Sequence, residues 1–288
     1  MAIALALLSA VCFGVALVTG RVGLRTLDSR SGAAISIPTA AAMFAVVAPF
    51  TLDFSAFHVE AAIWFAVIGL FFPAVVTLLT FRSNEQLGPT VTGAVSGTAP
   101  FFALLAAGWF LGETIPLEAA VAAVGVVAGI VLLSSKRGAG APRAAGWLLA
   151  LPLSGAAVRG FAQAGAKAAL VLWPQPVAAT LIGYFVSSVI VVGTNRFARR
   201  DRPHASGTSI AWFAATGALN GGALVLLYTA LTLAPVSLVA PIVATYPLVT
   251  TLVSAAVLRD EVLTARVMAG AAITIAAIVY LVAYGTSS

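Results

Sequence analysis

Long apolar stretches alternate with short polar turns along the whole chain. The pattern is clearest between Tyr228 and Val282, where two nearly uncharged segments are joined by the charged turn Leu258-Arg259-Asp260-Glu261. A helix rises about 1.5 Å per residue, so roughly twenty residues cross the ~30 Å hydrocarbon core of a bilayer. Each segment is that long, and the pattern predicts a helical hairpin across a membrane.

The same hairpin pattern occurs earlier in the chain, between Phe81 and Leu133. The spacing of the shared landmarks drifts only from 146 to 148 residues. Signatures that recur at a nearly constant offset indicate one module written twice, a common plan in secondary transporters. The matched landmarks are Leu87-Gly88-Pro89 with Leu233-Ala234-Pro235, Pro100 with Pro247, and Glu113 with Glu261.

Hydropathy predicts ten transmembrane helices, and therefore an all-α integral membrane protein. A solvated linker at 135–146, rich in Gly, Pro, Ser and basic residues, separates a first five-helix repeat at 1–134 from a second at 147–288. An odd number of spans per repeat makes the two copies insert in opposite orientations, so we expect inverted repeats. The spans are expected near residues 2–20, 32–51, 61–81, 89–110, 116–134, 146–166, 175–194, 209–230, 235–257 and 263–284.

Basic residues concentrate in the loops that follow odd-numbered spans. Thirteen of the fifteen Lys and Arg residues lie there, and the other two are Arg159 and Lys167. By the positive-inside rule these loops are cytoplasmic, which predicts periplasmic termini in a bacterial-type inner membrane. The thirteen are Arg21, Arg25, Arg30, Arg82, Lys136, Arg137, Arg143, Arg196, Arg199, Arg200, Arg202, Arg259 and Arg266.

This topology gives a first prediction. Alkaline phosphatase fused after Ser288 is expected to be active, because the enzyme matures only outside the cytoplasm, and the same fusion within the linker at 135–146 is expected to be inactive. An inactive C-terminal phosphatase fusion, together with a fluorescent C-terminal green fluorescent protein fusion, would reverse the orientation.

Composition supports the membrane class and limits the chemistry. Hydrophobic residues make up 61% of the chain and charged residues 8%, with a mean hydropathy of +1.08. Soluble domains carry about a quarter charged residues. The net charge of +6 comes from basic loops that set topology, so no nucleic-acid partner is expected. A single cysteine, Cys12, excludes an internal disulfide.

The repeated pattern resembles the EamA-type modules of the drug/metabolite transporter superfamily. The shared features are an apolar helix that begins at an LxP turn, a mid-helix proline, an (L/F)xxE turn and a Gly/Ala-rich helix. The resemblance covers nearly the whole chain and implies a ten-helix exporter. It selects no substrate, because that superfamily carries amino acids, sugars, nucleotide conjugates and drugs on one scaffold. The matching positions are Pro89, Pro100, Glu113 and Gly129 in the first half and Pro235, Pro247, Glu261 and Gly270 in the second.

Arg159 is the one charge deep inside a predicted span. An arginine at the centre of a membrane helix costs about 2.5 to 3.5 kcal/mol, so it is expected to face the interior and to have a partner. No carboxylate lies at that depth, which leaves backbone carbonyls, water or a substrate anion as alternatives. Nearer the span ends, Lys167 is expected to extend to the interface and Glu113 to favour the start of the fifth span through the helix dipole.

Further binding candidates rest on the resemblance, which implies that spans three, four, eight and nine line a central cavity. Aromatic neighbours that would suit an apolar cargo are Phe13, Phe101, Trp109, Phe161 and Tyr246. The substrate-binding candidates are Arg159, Gln163, Thr77, Thr80, Ser96, Thr98, Phe101, Asn220, Tyr228, Thr245, Tyr246 and Thr250. Prolines that would kink spans, either for gating or only for packing, are Pro73, Pro100, Pro241 and Pro247.

These features favour a secondary transporter that exports small metabolites by alternating access, with amino acids as the leading substrate class. The alternatives are export of drugs or of sugar- or nucleotide-type metabolites, and a non-transporting membrane scaffold. No nucleophile and base, paired acids, metal ligands or nucleotide-binding loop lie in the spans, so no enzyme, metal or cofactor is predicted. The expected partners are a small-molecule substrate and the lipid bilayer. The sequence does not determine the oligomeric state, and a monomer is compatible with it.

Overall fold

The computed structural model describes residues 1–53, 57–134, 146–197, 206–258 and 265–284, and every regular element in them is helical. A π-helical turn, Ala107–Leu111, follows α5, and a 3-10 turn, Gly146–Leu149, precedes α7. The helices are α1 (Ala2–Gly23), α2 (Ser29–Thr51), α3 (Val59–Phe71), α4 (Ala74–Ser96), α5 (Ala99–Ala106), α6 (Leu117–Ser134), α7 (Ala150–Leu172), α8 (Pro176–Phe197), α9 (Gly207–Leu233), α10 (Val236–Val243), α11 (Tyr246–Val257) and α12 (Ala265–Tyr284).

Six helical stretches in the described ranges are long and apolar enough to cross a membrane. One of them, Val59–Leu111, has 53 residues, enough for two crossings. Helix α7 is not among the six, because Arg159, Gln163 and Lys167 lower its hydropathy. The protein is therefore a multi-pass membrane protein by length and composition, and the number of ten crossings stays a prediction.

Three of the predicted spans are built from more than one helical segment. The third runs from α3 into α4 and is interrupted at Phe72-Pro73. Gly88, with a φ of 80°, breaks α4 and separates the third span from the fourth. The fourth is interrupted again at Gly97-Thr98, and the ninth at Ala244-Thr245 between α10 and α11. Hydropathy alone predicts the apolar length but not these interruptions.

The interruptions in the fourth and ninth spans repeat one another. In both, a helical segment starts after the LxP turn, breaks at a threonine, and restarts with a proline in the first turn. Thr98 donates its hydroxyl to the Val95 carbonyl at 2.7 Å, and Thr245 donates to the Ile242 carbonyl at 2.8 Å. The same two carbonyls also accept the backbone N–H groups of Thr98 and Thr245, each at 3.1 Å, so backbone and side chain together hold each break. The sequence repeat is thus also a repeat of the backbone.

Helix packing has the same twofold character. Helix α1 packs mainly on α9, and its counterpart α7 packs on α3 and α4. The packing of α2 on α9 is matched by the packing of α8, the counterpart of α2, on α3. Helices α2 and α8 occupy equivalent positions in the two repeats and pack on each other, and so do α6 and α12. This reciprocity is what two repeats related by a twofold axis generate.

Small residues permit the closest of these contacts. Gly129 on α6 lies against Gly270 and Thr274 on α12, and Gly217 on α9 lies against the Ser36 backbone on α2. A side chain at either glycine would collide with its neighbour, so both positions allow close helix packing.

The prolines expected to kink spans lie mostly at the breaks. Pro73 precedes α4, while Pro100 and Pro247 occupy the first turns of α5 and α11. In a first turn the N–H that proline lacks has no intrahelical partner to lose. Pro241 differs, because α10 continues through it to Val243 and the break comes later. Most of the linker predicted at 135–146 lies outside the described residues.

Candidate functional site

Arg159 lies in the middle of α7 with only 8% of its surface exposed. Its guanidinium carbon is 5.1 Å from the centre of the Phe13 ring on α1 and 5.5 Å from that of the Tyr246 ring on α11. Cation–π contacts of this kind stabilise a charge held away from water. The cation therefore sits between an aromatic ring of the first repeat and one of the second.

The hydrogen-bonding capacity of this guanidinium is not used up. Among the described residues, Nε and Nη1 of Arg159 are buried without a hydrogen-bond partner. Buried donors are nearly always paired, and leaving a charged one unpaired is costly. Of the partners considered from the sequence, backbone carbonyls do not reach these two nitrogens, and an anion or water would suit them.

Two small adjoining chambers lie beside the guanidinium. The space open to the centre of a water molecule is about 20 Å³ in one and about 30 Å³ in the other. That volume holds a few waters, whereas ligand sites typically measure about 300 to 1,000 Å³. Helices would have to part to admit a metabolite. The residues that line both chambers are Phe13, Thr80, Phe81, Arg159 and Asn220.

Six of the twelve predicted binding residues meet at these chambers. They come from four elements that are distant in sequence: α4, α7, α9 and α11. Ser96 and Tyr246, one from each of the two interrupted spans, line the same chamber. The six are Arg159, Thr77, Thr80, Ser96, Asn220 and Tyr246.

Three predicted threonines have local partners instead. Thr98 and Thr245 bond to carbonyls at the helix breaks. The Thr250 hydroxyl lies 3.3 Å from the Gly14 carbonyl on α1 and 3.1 Å from the Tyr246 carbonyl on its own helix. Serine and threonine hydroxyls often bond in this way to a carbonyl four residues earlier. These three residues fix the helices that surround the site.

The remaining three predicted residues, Gln163, Tyr228 and Phe101, do not line either chamber in the described part of the chain. Gln163 lies one turn from Arg159 and is buried, and its Oε1 has no partner in the described part of the chain. Tyr228 is buried near Tyr184, and Phe101 is half-buried.

Of the aromatic neighbours named from the sequence, the structure brings Phe13 and Tyr246 to the charge. Trp109 and Phe161 are 85% and 48% exposed and belong to the outer surface. A short outer contact, with ring centres 6.5 Å apart, joins Phe161 to Phe110. The aromatic character of the site thus comes from α1 and α11.

Several wall residues are missing from the sequence-based set. Phe72, Val76 and Phe81 line the chambers beside Thr77 and Thr80. Helical spacing could have predicted Val76 and Phe81, because residues three or four apart lie on the same face of a helix as Thr77 and Thr80. Tyr184 on α8 also lines the site and stacks against Phe44 with ring centres 6.4 Å apart. Tyr184 was not among the predicted binding residues, because the resemblance implied a cavity lined by spans three, four, eight and nine. Helix α8 corresponds to span seven.

Lys167, predicted to extend to the interface, binds the carboxyl end of α9, near the end of a predicted span. Its Nζ donates to the Leu231 carbonyl at 2.6 Å and to the Ala234 carbonyl at 3.1 Å, where α9 ends. The last carbonyls of a helix lack intrahelical partners and carry partial negative charge, so a cation is stabilised there.

Glu113 binds the next helix rather than the start of its own span. Its carboxylate accepts from the backbone N–H groups of Val236 at 3.2 Å and Ser237 at 3.4 Å, at the start of α10. An acid at a helix start meets unpaired N–H groups, so the predicted dipole interaction exists but with a helix of the other repeat. Its counterpart Glu261 lies outside the described residues.

The groups around Arg159 are suited to binding a polar or anionic ligand. The uncharged polar groups around Arg159 are phenols, hydroxyls and one carboxamide, those of Tyr184, Tyr246, Thr77, Thr80, Ser96 and Asn220. In the described ranges no three His, Cys, Asp or Glu residues come together in a way that could hold a metal ion. The site offers one cation, aromatic faces and small polar groups.

Comparison with known proteins places this geometry in context. The model of the EamA-like transporter family matches residues 1–135 and, a second time, residues 146–283. A solved structure titled "Crystal structure of protein" is similar in fold, with a TM-score of 0.80 and 14% sequence identity over 100% of this chain and 99% of that one. No curated protein matches the sequence.

Proposed function

The chain belongs to the EamA-like transporter family, and from this premise we propose that it exports small carboxylate-bearing metabolites, amino acids first among them. The membrane is the bacterial-type inner membrane, and the driving force is a gradient. The observation that carries the proposal is the buried Arg159 guanidinium with two unpaired nitrogens beside a polar chamber.

A carboxylate suits those nitrogens better than other small groups do. The planar guanidinium can grip a carboxylate through two parallel hydrogen bonds, and such charge-assisted bonds are about twice as strong as neutral ones. Bound cargo would therefore neutralise the cation and satisfy Nε and Nη1. A cationic drug would meet repulsion, and a scaffold protein would have no use for the unpaired charge.

The surrounding groups fit the remainder of an amino acid. Asn220, Thr77 and Thr80 offer oxygens that can accept hydrogen bonds from an ammonium group. Phe13 and Phe81 provide apolar surface for a side chain. Export of sugar- or nucleotide-type anions is the second candidate, because a phosphate would also bind the guanidinium.

The repeated backbone breaks support alternating access. Each half contributes one interrupted helix to the site, and at each break a threonine bonds the same carbonyl through both its hydroxyl and its backbone N–H. Hinges are usually a few residues at element ends that absorb a backbone change. Rocking of one repeat against the other about Thr98 and Thr245 would open the small chambers alternately to the two sides.

A panel of labelled metabolites in proteoliposomes tests this function. Vesicles that contain the protein and an unlabelled amino acid are expected to take up the same labelled amino acid by exchange, with empty liposomes as the control. Phosphorylated sugars, nucleotides and cationic drugs form the other arms. Exchange only of the phosphate compounds would favour the second candidate, and exchange only of cationic drugs would contradict the proposal.

We further expect that transport does not depend on protons. Proton-coupled carriers usually place a carboxylate or histidine in the pathway, and here all of those residues lie in loops or at predicted span ends. Collapsing the pH difference with a protonophore should leave exchange in proteoliposomes unchanged. Accumulation that required an imposed pH difference, with a fixed number of protons moved per cargo, would contradict this expectation.

A further inference from the structure

The turn between α9 and α10 is held by charges on both of its sides. Lys167 binds the carbonyls that precede the turn, and Glu113 binds the N–H groups that follow it. The two charges also interact with each other electrostatically. We call Glu113 and Lys167 together the clamp.

The basic half of the clamp has a counterpart in the first repeat. Arg21 lies 146 residues before Lys167, which is the offset of the two LxP turns. Its Nη1 donates to the carbonyls of Asn84 at 2.7 Å and Glu85 at 3.0 Å, shortly before Gly88 breaks α4. A basic side chain thus grips the carboxyl end of the helix before each LxP turn. The recurrence indicates a feature of the repeat rather than an isolated surface contact.

The acidic half of the clamp joins the two repeats. Glu113 follows the π-helical turn of the first repeat, and Gly112 before it adopts a φ of 63° that turns the chain toward α10. The N–H groups it binds begin α10, which has no side-chain cap of its own. Any movement that separates α10 from the first repeat therefore has to break the Glu113 bonds.

We propose that Glu113 and Lys167 are positioning residues that hold this end of the transport pathway shut and release it when cargo leaves. The inference rests on the proposed function, because it takes alternating access from it. Lys167 lies eight residues after Arg159 on α7, about 12 Å along the helix. The helix that carries the proposed cargo anchor thus also carries half of the clamp. Both clamp side chains are part-buried, so water can replace their bonds on opening.

Accessibility of a cysteine in the cavity measures this without any transport. Ala16 lines the first chamber and is small, so Ala16→Cys in a Cys12→Ala background supplies one reporter thiol. A membrane-impermeant maleimide is added from the side of the α9–α10 turn and the labelling rate is recorded. Glu113→Ala and Lys167→Met are each expected to raise that rate about tenfold, since each removes charge-assisted bonds that favour the closed form.

Three further variants identify the cause of any change. Lys167→Arg keeps a donor and is expected to label near the parent rate. Glu118→Ala is the matched control, because Glu118 lies five residues on and makes no hydrogen bond within the described chain. The double variant Glu113→Ala/Lys167→Met is expected to label little faster than either single one, because both hold one turn.

A disulfide between the two sides of the clamp contact tests whether this end has to open, and it does so without relying on the charges of Glu113 and Lys167. Oxidation of Glu113→Cys/Ser237→Cys, again with Cys12→Ala, is expected to lower transport at least about tenfold, and a reductant is expected to restore it. Full transport with the disulfide quantitatively formed would show that this end need not open.

The outcomes separate the clamp from the proposed function. Labelling at the parent rate in folded Glu113→Ala and Lys167→Met, or equal acceleration by Glu118→Ala, overturns the clamp even if amino acids are transported. Faster labelling in the two clamp variants alone supports the clamp, even if the cargo proves to be something other than a carboxylate.

Discussion

Replacing Arg159 by alanine is expected to weaken cargo binding at least about 100-fold, since two charge-assisted hydrogen bonds, each worth roughly 1.5 to 3 kcal/mol, together contribute about 3 kcal/mol or more. Arg159→Lys keeps the charge but not the planar fork, so partial transport should remain. Removing the charge should also ease insertion by about 2.5 to 3.5 kcal/mol, so the yield of folded protein should be maintained or improved.

Flux and cargo binding, each normalised to folded protein by size-exclusion profile, measure this effect. Arg82→Ala is a suitable control, because Arg82 is exposed and its loss removes the same charge from the chain. Unchanged binding and flux in Arg159→Ala would refute the anchor. A misfolded Arg159→Ala would assign the guanidinium a structural role between Phe13 and Tyr246.

The largest effect on folding is expected at Gly217. A Cβ atom at this position would overlap the Ser36 carbonyl group on α2, whose carbon would be 2.8 Å away. Backbone cannot yield as a flexible side chain can, so Gly217→Val should force α2 and α9 apart and eliminate most folded protein. Size-exclusion chromatography of a fluorescent fusion measures the surviving fraction.

The same helix offers a matched control for that substitution. A Cβ at Gly222 would meet nothing within 4 Å in the part of the chain that the structure describes. Gly222→Val therefore makes the same chemical change, with the same loss of glycine from α9, in open space. Equal yields of the two variants would show that close α2–α9 packing does not hold the fold together.

The repeat and the membrane class could be read from the sequence because they depend on local pattern. Leu87-Gly88-Pro89 and its counterpart mark equivalent turns, and the family match covers both halves. The prolines predicted that spans four and nine are interrupted, and the breaks at Gly97-Thr98 and Ala244-Thr245 lie just before Pro100 and Pro247, but hydropathy does not give the backbone geometry of the breaks. Pro100 and Pro247 were predicted to bend their helices, whereas each lies in the first turn of a new helix.

The site could be predicted only where a single residue carries an energetic cost. Arg159 stood out because a charge at mid-span requires compensation. Its actual neighbours, Phe13 and Tyr246, lie far away in the chain, and no spacing rule links the three. The helices that Glu113 and Lys167 bind were not predicted, for a related reason. Helix ends attract charges from any element that packs beside them, and that packing is tertiary.

The most direct measurement compares matched cargo pairs in exchange by the unmodified protein. Each pair consists of a labelled amino acid and the amine that results from its decarboxylation, which differ only in the group that Arg159 is proposed to bind. Rapid exchange of the amino acids is expected, with exchange of the amines no faster than in empty liposomes. Exchange of the amines at the rate of the amino acids, or of the amines alone, would contradict the proposed binding.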